Sequence, residues 1–229
     1  MTNHFKLLLC AAALLLAAAC SPKVSNEEKE KISESGPDRV TTAIGALELP
    51  APYATESAVK VSKVIGWPEG TTPRAPAGFT VTRYADELEN PRTAYEGPNG
   101  DLFVVESSTR SSANRITLLR DTDQDGMPDE RHEFATDLDQ PYGMLIMDGY
   151  FYVANTGETL RFPYKIGDNK LTGTGQRVLA TPPQGYNHHW TRNLLAGRDG
   201  KKIYVSVGSG SNVGENGMEN ETNRAMILE

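Results

Sequence analysis

The chain has 229 residues, with 23 basic against 30 acidic side chains and a formal net charge of −7. That balance, with no basic stripe anywhere, excludes nucleic acid as an expected partner. The length allows one domain and a tail.

The first feature in chain order is the N-terminus. Lys6 follows a short polar start, and residues 7–19 are an unbroken apolar run. A helix needs about 20 apolar residues to span a bilayer, so this run is too short. It fits the apolar region of a secretory signal with small residues before the cut. Leu16-Ala17-Ala18-Ala19 before Cys20 resembles a bacterial lipobox, in which the cysteine becomes the lipidated first residue. The lipobox prefers leucine three places before the cysteine, whereas here it is four. The alternative is an ordinary cleaved signal with an incidental cysteine. Cys10 would leave with the signal, so Cys20 would be the only mature thiol and no internal disulfide could form. The expected product is a periplasmic lipoprotein, anchored to the membrane through Cys20, with the outer membrane favoured.

Residues 20–75 read as a flexible tether. A charge run over 26–31 is followed by Pro37, Pro50, Pro52, Pro68 and Pro73. Few apolar residues recur at any period, so burial has little to set against ordering entropy. A short strand or helix near 59–64 is the possible exception.

From Gly78 the pattern becomes short strands and turns, and three segments resemble one another. The first runs from Asn90-Pro91 through Pro98-Asn99-Gly100-Asp101 to Leu102-Phe103-Val104-Val105-Glu106. The second runs from Gln140-Pro141 through Asp148-Gly149 to Tyr150-Phe151-Tyr152-Val153-Ala154-Asn155. The third is Arg198-Asp199-Gly200 followed by Ile203-Tyr204-Val205-Ser206-Val207. Phe103, Tyr152 and Tyr204 align at steps of 49 and 52 residues. Each unit is a turn signal followed by an aromatic and β-branched strand. An all-β repeat of roughly 50 residues is the size of a propeller blade. Outer strands are expected to follow at 115–119, 159–162 and 225–228. A β-sandwich, the competing architecture, would space its strands irregularly. The expectation is an all-β chain, a β-propeller with about three blades present over 76–229. Three blades do not close a ring, so the chain is expected to be part of a longer protein.

The stretch richest in chemistry is Gly185-Tyr186-Asn187-His188-His189-Trp190-Thr191-Arg192-Asn193, at the entry to a strand. Histidine can serve as a general base near neutral pH. Arginine can hold a carboxylate with two hydrogen bonds. A structural histidine pair is the competing reading. A metal site is a poorer fit, because adjacent residues entering a strand point apart.

Several motifs then recur in order: His189-Trp190-Thr191-Arg192-Asn193-Leu194, Asp199-Gly200-Lys201-Lys202-Ile203-Tyr204-Val205, Gly208-Ser209-Gly210-Ser211-Asn212-Val213 and Arg224-Ala225-Met226-Ile227-Leu228-Glu229, with Pro141-Tyr142-Gly143-Met144 upstream. Over about residues 76–229 the chain resembles the L-sorbosone dehydrogenase branch of the pyrroloquinoline-quinone (PQQ) sugar dehydrogenases. The resemblance implies a six-bladed propeller of which the N-terminal half is present, and an oxidoreductase acting on a sugar, sugar aldehyde or related alcohol by hydride transfer to PQQ. It implies His189 as the base that takes the hydroxyl proton, and Arg192 as a partner for a quinone carboxylate or the channel wall. It implies calcium beside the quinone, a respiratory electron acceptor, and an inactive fragment in the absence of the second half. Gln140, His188 and Ser209 fall at substrate-contacting positions. His188 and Ser209 stand where the soluble glucose dehydrogenases carry acids, so glucose specificity is not carried over.

The last motif is Asp121-Thr122-Asp123-Gln124-Asp125-Gly126-Met127-Pro128-Asp129. Alternating carboxylates with glycine sixth match the start of a calcium loop. Asp121, Asp123, Asp125 and Asp129 are the expected ligands of a structural ion. The alternative is a solvated acidic turn. A non-redox propeller, either a lactonase-like hydrolase or a glycan-binding lipoprotein, is the competing function.

Overall fold

The computed structural model describes residues 25–34, 36–51, 60, 62–63, 65–182 and 189–229. The expected leader, Cys20 and His188 lie outside the described residues, as do residues 59, 61 and 64 of the 59–64 segment.

Ser25 caps α1 (Asn26–Ser33), its hydroxyl accepting from the Glu28 amide at 3.2 Å. Lys31 pairs with Glu27 one turn earlier at 3.0 Å. The helix buries no residue, and one this short is marginal in water without packing. β1 (Asp38–Thr42) and β2 (Gly45–Leu49) form a hairpin with every residue of β2 exposed. The segment read as a tether thus carries local structure made by capping and ladder bonds, not by burial. Among the described residues no helix is long and apolar enough to cross a membrane.

From Pro91 the chain builds three antiparallel sheets in succession. The first is β3 (Pro91–Glu96), β4 (Leu102–Glu106), β5 (Arg115–Arg120) and β6 (Glu130–Ala135). The second is β7 (Gly143–Met147), β8 (Tyr150–Ala154), β9 (Glu158–Pro163) and β10 (Gln176–Ala180). The third is β11 (Leu194–Ala196), β12 (Ile203–Val207) and β13 (Met226–Leu228). Within each sheet every strand pairs with the next in sequence, the arrangement of a propeller blade. Asp148 and Gly149, at φ 50° and 75°, turn β7 into β8 with two residues. That left-handed pair matches the twist of the flanking strands. The blade strands missed in the sequence are the inner β3, β7 and β11 and the outer β6 and β10. β6 reads Glu-Arg-His-Glu-Phe-Ala, and only its last two residues are buried. An edge strand with one wet face lacks the apolar run that marks β4 and β8.

The sheets pack face to face. Phe103 and Val105 from the first meet Phe151 and Val153 from the second. Phe103, Phe134 and Phe151 stand with ring centroids 4.6 to 4.9 Å apart. Each fully buried phenylalanine contributes about 2–3 kcal/mol, with edge-to-face contacts adding somewhat more. Tyr152 and Ala154, on the other face of the second sheet, meet Leu194 and Val205 of the third. Phe103 and Tyr152 therefore occupy equivalent places, each facing the following blade, as the repeat alignment requires. Their inner-strand partners are Tyr95 and Leu145. In the third blade the same positions are Tyr204 and Leu195, and Leu195 is 67% exposed.

Candidate active site at the entry of the inner strands

Because neighbouring strands run antiparallel, the starts of β3, β7 and β11 share one end with the finishes of β4, β8 and β12. Hydroxyls tie these ends together across blades. Ser107 donates to the Pro141 carbonyl at 2.7 Å, and Thr156 donates to the Trp190 carbonyl at 3.1 Å. Asn90 and Gln140, each just before the proline that leads into a blade, sit at φ 55° and 50°. Non-glycine residues in this left-handed region are uncommon and cluster where the surroundings hold them for a purpose.

Gln140 spans two blades: its amide nitrogen donates to the Ser108 carbonyl at 3.4 Å, and its oxygen lies 3.2 Å from the Thr156 hydroxyl. The single Thr156 proton is shared between this oxygen and the Trp190 carbonyl.

His189 and Ser209 come together. The His189 Nδ1 lies 2.8 Å from the Ser209 hydroxyl and 3.2 Å from the Ser209 carbonyl. A carbonyl only accepts, and the Ser209 hydroxyl donates to the Ser211 carbonyl at 2.7 Å. Nδ1 therefore carries the proton, and the lone pair of the neutral ring is on Nε2. Glu221 braces this loop, accepting from the Gly210 amide at 2.7 Å and from the Ser211 hydroxyl. Gly208 makes the approach possible, since a Cβ there would collide with the Cβ of His189.

Arg192 lies under the same loop with no exposed surface. Its Nη1 donates to the carbonyls of His189 at 2.8 Å and Thr191 at 3.1 Å. Its Nε and Nη2 are buried with no partner among the described residues. Burial, with the nearby Arg224 charge adding, pushes its pKa down to about 10. A buried cation without a counter-charge is costly, and two orphaned donors on one guanidinium edge match a carboxylate fork. The residues present thus fit a carboxylate-bearing group such as PQQ.

The acidic loop lies elsewhere. It joins β5 to β6, at the opposite end of the first blade from Asn90. Asp121, Asp123 and Asp129 each offer an oxygen within 4.8 Å of the others. Asp125 stands outside that group, accepting from the Met127 amide at 2.8 Å. Asp129 accepts from the Thr122 hydroxyl at 2.7 Å and amide at 2.6 Å, and these bonds hold its carboxyl below the usual range.

Two groups at the strand-entry end escaped sequence reasoning. Glu106 is fully buried at the end of β4, bound by Arg115 at 2.8 Å, by the Thr117 hydroxyl and by the Glu89 amide. It pins the Glu89-Asn90 turn to the blade. Asn90, Arg92, Ser107, Ser108, Thr109 and Trp190 line a cavity of about 240 Å³. Nothing in a Ser-Ser-Thr run or a lone arginine marks such a place, because its residues meet from separate strands.

Three successive four- or three-stranded antiparallel sheets, packed face to face with their inner strands adjacent, define a protein of the β-propeller class. The chain belongs to the family described as "Domain of unknown function (DUF7133)", whose model matches residues 72–227. No curated protein matches it. Among solved structures it is similar to the holo form of the PQQ domain of pyranose dehydrogenase from Coprinopsis cinerea. The identity is 17% and the TM-score 0.51, over 63% of this chain and 34% of that one. A family AA12 carbohydrate-active enzyme from Trichoderma reesei, in its calcium structure, is similar at 21% identity and TM-score 0.46, over 56% of this chain and 31% of that one. The Coprinopsis likeness shows a shared fold. The chain spans about a third of the length of these structures.

Proposed function

We propose that this chain is part of a PQQ-dependent oxidoreductase of the sorbosone dehydrogenase type, oxidising a sugar, sugar aldehyde or related alcohol. The observation that carries the reading is Arg192, fully buried with two orphaned donors beneath the loop that holds His189. In this reading the Arg192 edge holds a carboxylate of the cofactor and the His189 Nε2 takes the substrate's hydroxyl proton. His188, Ser209 and Gln140 contact or order the substrate. Bound PQQ supplies the two-electron acceptor. Arg192 and the Ser209 loop act by orientation, and the base needs hydrogen-bond reach to the hydroxyl.

The 121–129 loop belongs to the same reading as a structural calcium site distant from the quinone. Residues 1–19 are a lipoprotein signal, Cys20 is the lipid anchor and 20–75 the tether, placing the 76–229 propeller segment in the periplasm. Electrons then leave to a respiratory acceptor. Lipid labelling that survives Cys20→Ala would remove the anchor.

The test is to supply the whole protein with PQQ and calcium and follow dye reduction over a panel of sugars and sugar aldehydes. Turnover and a quinone absorbance that follows the protein support the reading. If quinone does not bind and no substrate reduces the dye, the non-redox propeller takes its place.

A further inference from the structure

The cavity beside Trp190 lies between the first blade and the entry to the third. We propose that it binds an anionic sugar, through an oxyanion on Arg92 and hydroxyls on the surrounding amide and hydroxyl groups.

The chemistry of the wall decides the class of ligand. Arg92 supplies the charge, Asn90 an amide, and Ser108 and Thr109 hydroxyls. No carboxylate among the described residues lines it, although the chain as a whole carries −7. Of the two acids next to the lining in sequence, Glu106 is neutralised by Arg115 and Glu89 is not among the residues that line the cavity. A cation would therefore find no counter-charge here, and a purely apolar ligand would strand polar groups.

Arg92 is set up for an oxyanion. Its guanidinium carbon stands 5.4 Å from the centre of the Trp190 ring, a cation–π distance. No carboxylate among the described residues pairs with it. A guanidinium lying over an aromatic face keeps its edge N–H groups for a planar anion. Trp190 is itself fixed, since its carbonyl accepts from Thr156 and its ring meets Tyr142 edge-on at 6.5 Å. Trp190 therefore serves as the platform for Arg92 and not as an open stacking face.

The polyol side is held as firmly. Asn90 takes left-handed backbone at φ 55° to stand at the mouth, and Glu106 accepts from the neighbouring Glu89 amide. The Ser107 hydroxyl is fully buried and donates to the Pro141 carbonyl, so it fixes the wall of the cavity. About 240 Å³ is the liquid volume of roughly eight waters, enough for one sugar ring with its charged group.

The site is tested without quinone, so its outcome is separate from that of the oxidoreductase reading. The full chain is titrated with galacturonate, galactose 1-phosphate, galactose and inorganic phosphate, following the Trp190 ring resonances by NMR. At least one anionic sugar should saturate, with galactose and inorganic phosphate each at least about tenfold weaker. The comparison of galacturonate with galactose 1-phosphate tells a carboxylate ligand from a phosphate one. Arg92→Gln should weaken binding about tenfold or more, the usual loss for a hydrogen bond to a charge. Arg92 is exposed, and apart from its stacking on Trp190 it makes no ion pair among the described residues, so the variant's unfolding midpoint should change little. Unaltered affinity in Arg92→Gln overturns the proposal. So does galactose binding as tightly as the anionic sugars, inorganic phosphate binding as tightly as the sugar phosphate, or no saturation by either anionic sugar up to tens of millimolar.

Discussion

Ser209 grips His189 twice, with its hydroxyl 2.8 Å and its carbonyl 3.2 Å from Nδ1. The carbonyl alone is enough to keep the proton on Nδ1. Nitrogen-15 NMR of the neutral ring should show a protonated Nδ1 in the wild type and in Ser209→Ala alike. A protonated Nε2 would break the assignment of that atom as the base. In the whole protein His189→Gln should lose about a hundred- to ten-thousand-fold in turnover while retaining quinone binding.

Gly208 gives His189 its room. A Cβ at 208 would reach the His189 carbonyl oxygen at 3.0 Å and overlap its Cβ. Gly208→Ala should cost about 1–3 kcal/mol of stability and shift the His189 resonances. Those resonances staying in place would mean the loop gives way without involving the histidine.

Arg192 carries a buried charge that, among the described residues, meets two carbonyls and no acid. Arg192→Met keeps the length and removes the charge. Replacing a poorly compensated buried ion by an apolar group is commonly stabilising by about 1–4 kcal/mol, so urea unfolding of the quinone-free protein should move to higher denaturant. The same variant should lose affinity for PQQ. A destabilised variant would show that Arg192 is satisfied in the free protein.

Glu106 and Asp101 set the acid limit of the first blade. Burial pushes both carboxyls up, but the bonds from Arg115 and Thr117 to Glu106, and from Arg120 and Asn99 to Asp101, prevail and hold them below their ordinary values. A depressed carboxyl contributes fully above its unfolded value, near 4, and loses that contribution as pH falls through the lower folded value. Stability should thus drop steeply below about pH 4, and less steeply in Glu106→Gln. Arg115→Met, which leaves Glu106 buried without its cation, should cost about 3 kcal/mol at neutral pH, the low end for a broken buried pair, because Arg115 is 28% exposed.

The acidic loop separates its own carboxylates. Asp121, Asp123 and Asp129 converge, whereas Asp125 does not. Calorimetry should show calcium heat that vanishes when those three become asparagine and falls less in Asp125→Asn. Identical heats in wild type and the triple variant would leave only a solvated turn.

The blade repeat was legible because its strands carry their own signal. β4 and β8 are continuous apolar runs behind Asn-Gly and Asp-Gly turns, buried on both faces, and both the strand type and the spacing follow from that. Phe103 and Tyr152 even take the equivalent faces that the alignment assigns them. Of the missed strands, β3, β6 and β10 were not legible because partly wet strands of mixed polarity lack a period that separates them from loops, and β11 is only three residues long.

His189 and Ser209 were both marked as site residues in the sequence, and the fold brings them into contact. Arg192 was marked as well, but neither its complete burial nor its two unsatisfied donors could be read from one dimension. Residue type and local order are set by the sequence itself: which segments can be strands, where the chain must turn, and which side chains can move a proton or hold an anion. Tertiary structure alone decided which of them meet. The cavity between Asn90, Ser108 and Trp190 joins residues up to a hundred positions apart. Such meetings depend on how whole sheets pack, and no local pattern encodes them.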